Sequence, residues 1–442
     1  MSANGASHLL KVLRPADIPK LDLQPVDPAA LVQASAIMKD VKEQGVQGLL
    51  THAVKLGDIG KDEEYIMGPA EMKKAYDGLE QGQKDLLQRT HDRIKAFAET
   101  QMASVGGAET TIPGGKAGHT ISPMAVAGCY APGGRYPLPS SVLMTAVTAK
   151  AAGVKTVVVA SPRPAPITIA AAHVAGADQL LRVGGAQSIA ALAYGTGSVP
   201  ACDVIVGPGN KWVTAAKSLV QGRCSIDMLA GPSEVLVIVD GTANADTVAA
   251  DLLAQAEHDT EARPILVTTD EEKGKEVNAS LARQLAELPT KDTAAEAVKK
   301  GFIVLCKDID EAIALSDEIA PEHLEIQTAD ADAIGKRCLN YGGLFVGSDA
   351  AEVLGDYGAG PNHVLPTGGT ARYTGGLSVF NFIRIRTWMR IDNAVESQSL
   401  VSDAVELARL EGLEGYSCTS LPLEAPTTLL PFMLPTLFLA PC

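Results

Sequence analysis

The sequence predicts an α/β protein built from two Rossmann-like, doubly wound parallel-sheet halves, with a largely helical N-terminal region and a C-terminal arm. Three observations carry this expectation. From about residue 121, short Val- and Ile-rich runs alternate with Ala-rich helical stretches. Glycine turns punctuate them, with 42 glycines and 26 prolines in the chain. The alternation passes through two similar rounds, the pattern of parallel strands joined by helical crossovers.

Before that texture begins, Ala29–Gln44, Glu71–Leu79 and Gln81–Gln101 carry apolar residues at helical spacing among charges, and Gly45 is a natural stop for the first. In the first round, Thr156–Ala160, Gln179–Val183 and Asp203–Val206 read as strands, and Ile167–Ala175, Gln187–Tyr194 and Lys211–Val220 as helices. The second round has strands at Glu234–Val239, Pro264–Thr268, Gly301–Leu305 and Leu344–Val346. Its helices are Asp246–Glu257, Gly274–Ala286 and Ile309–Ile319. The expected divisions are residues 1–120, 121–235, 236–376 and a dimerisation arm over 377–442, with a helix at Asn393–Leu410. The two halves suggest a duplication, although no sequence repeat proves it. From Tyr416 the texture changes again, to a Pro- and Leu-rich tail whose one charge is Glu424.

The 442 residues are 46% hydrophobic, enough for a sizeable core. A formal net charge of −15 argues against nucleic acid and against an anionic membrane surface, and is compatible with a cationic substrate. Seven cysteines, none in a CxxC pair, read as reduced thiols. With no secretory or transit pattern at the N-terminus, a cytoplasmic location is expected. Leu429–Leu439 is apolar but short and broken by Pro431 and Pro435, so it is not read as a membrane span.

Several segments can carry chemistry. Gln255 and His258 are three apart near a helix end, so an amide oxygen and an imidazole share one side. Such a pair can chelate a metal, although a lone histidine there more often caps its helix. Pro321 stops the preceding helix and places Glu322 and His323 on a turn, a carboxylate beside an imidazole. An exposed capping pair is the alternative. Asp356 and His363 flank a loop shaped by glycines and Pro361, where a solvated aspartate is again the alternative. Three glycine loops can hold a nucleotide: Tyr130–Gly134, Val183–Gln187 and Gly207–Asn210. The last two follow strands and open helices, where backbone N–H groups meet phosphates, but none is a GxGxxG fingerprint. Ser233 lies between the two halves, a natural place for a ligand crevice.

The run Ile226–Val235 (IDMLAGPSEV) followed by Asp251–His258 (DLLAQAEH) closely resembles the signature of the histidinol dehydrogenase family. The resemblance extends from near the N-terminus to about Gly415 and includes each glycine loop. It implies an NAD-dependent enzyme of histidine biosynthesis that oxidises L-histidinol through the aldehyde to L-histidine. It implies zinc ligands at Gln255, His258 and Asp356, and acid–base work by Glu322 and His323. Substrate contacts fall on Ser233, His363 and Glu411 as well as on those five residues, and NAD contacts on Tyr130, Gln187 and Asn210. A homodimer is implied too. One departure stands out: Tyr416 occupies the position of the family's fourth protein ligand, a histidine, and no histidine follows His363. A neutral phenol is a poor zinc ligand. Weakened zinc binding, or a catalytically silent paralogue, is therefore the alternative expectation.

Overall fold

A computed structural model describes residues 9–18, 25–133 and 137–416. The chain divides into two compact units, one of residues 1–102 and 123–382, the other of residues 103–122 and 383–442. The N-terminal region is therefore shared out rather than standing apart. Its strands β1 (Lys11–Leu13) and β2 (Ile66–Met67) become sheet edges, and β3 (Ala108–Ile112) pairs antiparallel with β4 (Gly115–Pro123).

The first α/β half supplies β5 (Val126–Tyr130), β6 (Thr156–Ala160), β7 (Gln179–Leu181), β8 (Val204–Val206) and β9 (Ser225–Ile226). The second supplies β10 (Glu234–Val239), β11 (Arg263–Thr268), β12 (Phe302–Leu305), β13 (His323–Gln327) and β14 (Gly343–Val346), and β15 (Ile383–Ile391) lies beyond them. The first sheet runs β2-β7-β6-β5-β8-β9 and the second β1-β12-β11-β10-β13-β14. Starting from β5 and from β10, the two orders match strand for strand, the topological form of the duplication. Pairing is parallel throughout except at β2–β7. In each half the order reverses at one point, between β5 and β8 and between β10 and β13. Ligands of open α/β sheets bind at such switch points.

Burial explains which elements form. Val157, Val158 and Val159 are fully buried, as a strand covered on both faces requires. Asn210 and Asn244 cap the Lys211–Val220 and Ala245–Ala256 helices with their side chains, satisfying first-turn N–H groups. Helix Pro139–Ala151 escaped the sequence reading because every residue from 141 to 149 is buried, which leaves no amphipathic period to detect.

Two expectations need correction. The helix of the arm begins at Gln398, not Asn393, and β15 precedes it. In IRIRTWMRI the apolar residues alternate at strand period on a largely exposed ribbon, which joins β4 and β3 in a three-stranded sheet. Gly45 does end the Pro28–Gln44 helix, and helix Val46–Lys55 follows it at once. The second correction concerns Glu322 and His323. His323 opens β13, a strand buried along its whole length, and both side chains are buried. HLEIQ alternates polar and apolar residues, and its polar face turns inward, where it is needed. Among the described residues, no helix is long and apolar enough to cross a membrane. The Leu429–Leu439 stretch and the Pro-rich tail lie outside the described residues.

Candidate active site

The site forms where the carboxyl edge of the first sheet meets the amino edge of the second, at both switch points. Leu138, Ser140 and Ser141 follow β5, and Pro208 follows β8. From the second half, Ser233 precedes β10 and Glu322 precedes β13, and Val235 and His323 are register partners. Together they line a cavity of about 160 Å³. Gln255, His258, His323, Asp356 and His363 line the same cavity. The five residues expected to hold metal or move protons therefore converge.

Local structure aims each group. Asp251 and Gln255 lie one turn apart on the buried face of the Ala245–Ala256 helix, and His258 falls in the turn after it. Asp356 ends a short helix, Glu352–Asp356, rather than standing in a solvated turn. Beyond it, Gly358 has φ +93°, and a Cβ there would lie 2.4 Å from Thr90 Cγ2, so only glycine fits. Arg93 Nε donates to the Gly358 carbonyl at 2.6 Å, fastening this loop to the Gln81–Ala103 helix. His363 Nδ1 donates to the Asp356 carbonyl at 2.8 Å, which leaves Nε2 as an acceptor, 3.4 Å from Ser141 Oγ.

His323 Nδ1 lies 3.2 Å from the Glu234 carbonyl, which can only accept. The ring's other nitrogen, Nε2, is buried without a hydrogen-bond partner and sits 3.7 Å from Asp356 Oδ1. Glu322 Oε2 accepts from the Glu234 N–H at 3.0 Å and lies 3.8 Å from His323 Nδ1. Burial pushes the Glu322 carboxyl up to about 7. For His323, burial acts downward, but the carboxylates of Glu352, Glu322 and Asp356 outweigh it and lift the imidazole to about 10. Burial also opposes the Asp356 carboxylate, yet His323, His363 and His258 hold its pKa below the usual value. Burial lowers His363, keeping it neutral.

The sequence reading missed Glu352. Its carboxylate is 3.7 Å from His323 Nδ1, its second oxygen has no partner, and its pKa is raised well above the usual value by burial. His258, Glu352 and Asp356 each offer a ligand atom, all within 4.8 Å of one another. Gln255 Oε1, buried and without a partner, opens on the same cavity. Imidazole nitrogen and several oxygens suit zinc, and partnerless buried oxygens are what an absent cation leaves behind, so the residues present fit a metal. The signal for Glu352 was its spacing, four residues before Asp356 on one helix face.

The residues expected at NAD gather at the carboxyl edge of the first sheet. The Tyr130 hydroxyl accepts from the Gly185 N–H at 3.4 Å. Gln187 Nε2 donates to Asp58 Oδ2 at 2.9 Å, and its buried carbonyl oxygen has no partner. Asn210 caps its helix from an exposed position. The Tyr130 loop is described only as far as Gly133. Glu411 and Tyr416 belong to the second unit and are exposed there.

A family model described as histidinol dehydrogenase matches residues 25–419, a little beyond Gly415. The histidinol dehydrogenase of Thermus thermophilus is 43% identical over 392 residues, covering 88% of this chain and 94% of that protein. That of Bradyrhizobium diazoefficiens is 42% identical over 391 residues, covering 87% and 90%. The crystal structure of histidinol dehydrogenase from Elizabethkingia anophelis superposes with a TM-score of 0.84 at 29% identity, covering 95% of this chain and 99% of that one. Fold, site and relatives together define an α/β oxidoreductase. The chain belongs to the histidinol dehydrogenase family.

Proposed function

We propose that this enzyme oxidises L-histidinol to L-histidine in two successive hydride transfers to NAD, with a bound zinc ion. What supports the reading is the convergence of Gln255, His258 and Asp356 with the Glu322–His323 pair on one cavity at the two switch points. NAD, when bound, would supply the hydride acceptor for each of the two oxidations. Zinc held by Gln255, His258 and Asp356, with Glu352 beside them, supplies positive charge against the clustered carboxylates and a fixed anchor for nitrogen donors of the substrate.

The chain's own groups do the rest. His323 takes the hydroxyl proton at Nε2, the nitrogen left without a partner. Its Nδ1, against the Glu234 carbonyl, holds the ring in that orientation. A metal ion held by Asp356 would share that carboxylate's charge with the His323 ring, 3.7 Å away, and so favour Nε2 as the acceptor of the proton. Glu322, titrating near neutrality, removes a proton from the water that adds to the aldehyde. Ser233 and His363 orient the substrate, His363 by accepting at Nε2. Tyr130, Gln187 and Asn210 contact NAD.

Two chains pair, and Glu411 contacts the substrate, both proposed from the family resemblance. Ile385, Met389, Leu407 and Leu410 are more than half exposed on the second unit, apolar surface of the kind that subunit pairing covers. The test is NADH formation from L-histidinol with zinc present. Two NADH per L-histidine are expected. Turnover of unrelated alcohols, with none of histidinol, would refute the proposal.

A further inference from the structure

We infer that the buried Lys217–Asp227 ion pair is a positioning device that holds the nucleotide loop Gly207–Asn210 in its binding shape. This rests on the NAD reading above. Gly207 follows the last residue of β8, beside the first sheet's switch point. Its N–H donates to Asp227 Oδ2 at 2.7 Å, and its carbonyl accepts from Lys217 Nζ at 2.9 Å. The ammonium and the carboxylate also pair with each other. One residue is thus gripped at both polar ends.

The grip leaves no slack. Gly207 has φ +117°, and a Cβ on it would lie 2.0 Å from the Tyr130 carbonyl oxygen, so the loop presses on the end of β5. Asp227 Oδ1 accepts from the Met228 N–H at 2.7 Å, and Thr214 Oγ1 donates to the Ala230 carbonyl at 2.9 Å. The pair therefore ties three segments together: the end of β8, the Lys211–Val220 helix and the run leading to Ser233. The loop it holds carries Pro208, on the cavity, and Asn210.

Packing alone does not account for these charges. The Lys217 and Asp227 side chains are 3% and 0% exposed. Desolvating such a pair costs about what its attraction returns, and apolar residues of similar volume would fill the space as well. What apolar residues cannot do is fix the orientation of the Gly207 peptide groups. The Gly207 N–H is taken up by Asp227 and Pro208 has none, so what the pair sets is the direction in which the rest of the turn leaves the sheet toward a bound pyrophosphate.

The test uses the double variant Lys217→Met/Asp227→Asn in the full chain. It stays neutral inside, whereas either single change strands a buried charge and risks misfolding. Circular dichroism checks folding, calorimetry measures NAD affinity, and steady-state kinetics give KM for NAD and for L-histidinol. The expected result is a folded enzyme with NAD affinity and KM weakened by about tenfold. KM for L-histidinol should stay within about twofold, a split that general loosening would not produce. A folded double variant with native NAD affinity would overturn the inference and leave the NAD reading intact. Failure of the native chain to bind NAD would overturn both.

Discussion

Glu322 and His323 are neighbours in sequence, and the different duties proposed for them rest on their different surroundings. Glu322 keeps one oxygen on the Glu234 N–H, so only its other oxygen can meet water. Glu322→Gln preserves that contact and removes the base. It should cut L-histidine formation by about 100-fold or more while the first NADH and the aldehyde still appear, as product analysis would reveal. Glu352 poses a different question, because it lies beside both His323 and the proposed ligands His258 and Asp356. Glu352→Gln should weaken zinc binding by about tenfold, measured by competition with a chromogenic chelator. Unchanged zinc affinity would confine Glu352 to the imidazole. Gln255, His258 and Asp356 were legible as motif residues. Glu352 was not, since an acidic residue in the first turn of a helix is ordinary stabilisation by the helix dipole. Only the approach of that helix to His323 shows its other partner.

Strand β13 sets His323, Glu325 and Gln327 on one face at a spacing of two residues. Behind the site, Gln327 Nε2 donates to Asp251 at 2.8 Å and to Glu325 at 2.9 Å, and Glu325 Oε1 accepts from the Glu352 N–H at 3.2 Å. The strand thereby holds the start of the helix that carries Asp356. Burial, then the nearby Asp251 charge, pushes Glu325 up to about 8. A carboxyl raised on folding stabilises the fold fully below its unfolded pKa, and that contribution fades as pH climbs through the folded value. The melting temperature should therefore fall as pH rises from the usual carboxyl value, 4.5, to about 8. Glu325→Gln, which keeps an acceptor for Glu352 but no titration, should flatten that fall by several degrees in calorimetry. Buried strands such as β6 and β10 were plain as Val/Ile runs. β13 was not, because three polar residues in five look like a turn until their inward face and mutual hydrogen bonds are known. β15 was hidden for the converse reason, as its residues are mostly exposed.

For the molecule as a whole, the two halves repeat one strand order but use opposite edges at the site, the first its carboxyl ends and the second its amino ends. Assembly adds a further level. Sedimentation should return twice the 45.9 kDa chain mass, and Met389→Glu with Leu410→Glu should shift the protein toward monomers. Native monomers would remove the pairing proposal. The alternation of strands and helices in the two halves, the crossover pattern and most of the residues that line the cavity followed from the amino-acid sequence alone, since periodicity, glycine turns and motif spacing are local properties. Tertiary structure alone decided that β1 and β2 complete the sheets, that Glu352 faces His323 and that Lys217 and Asp227 share a glycine. Those pairings join side chains of separate elements, and such contact depends on how elements pack, which no local pattern encodes.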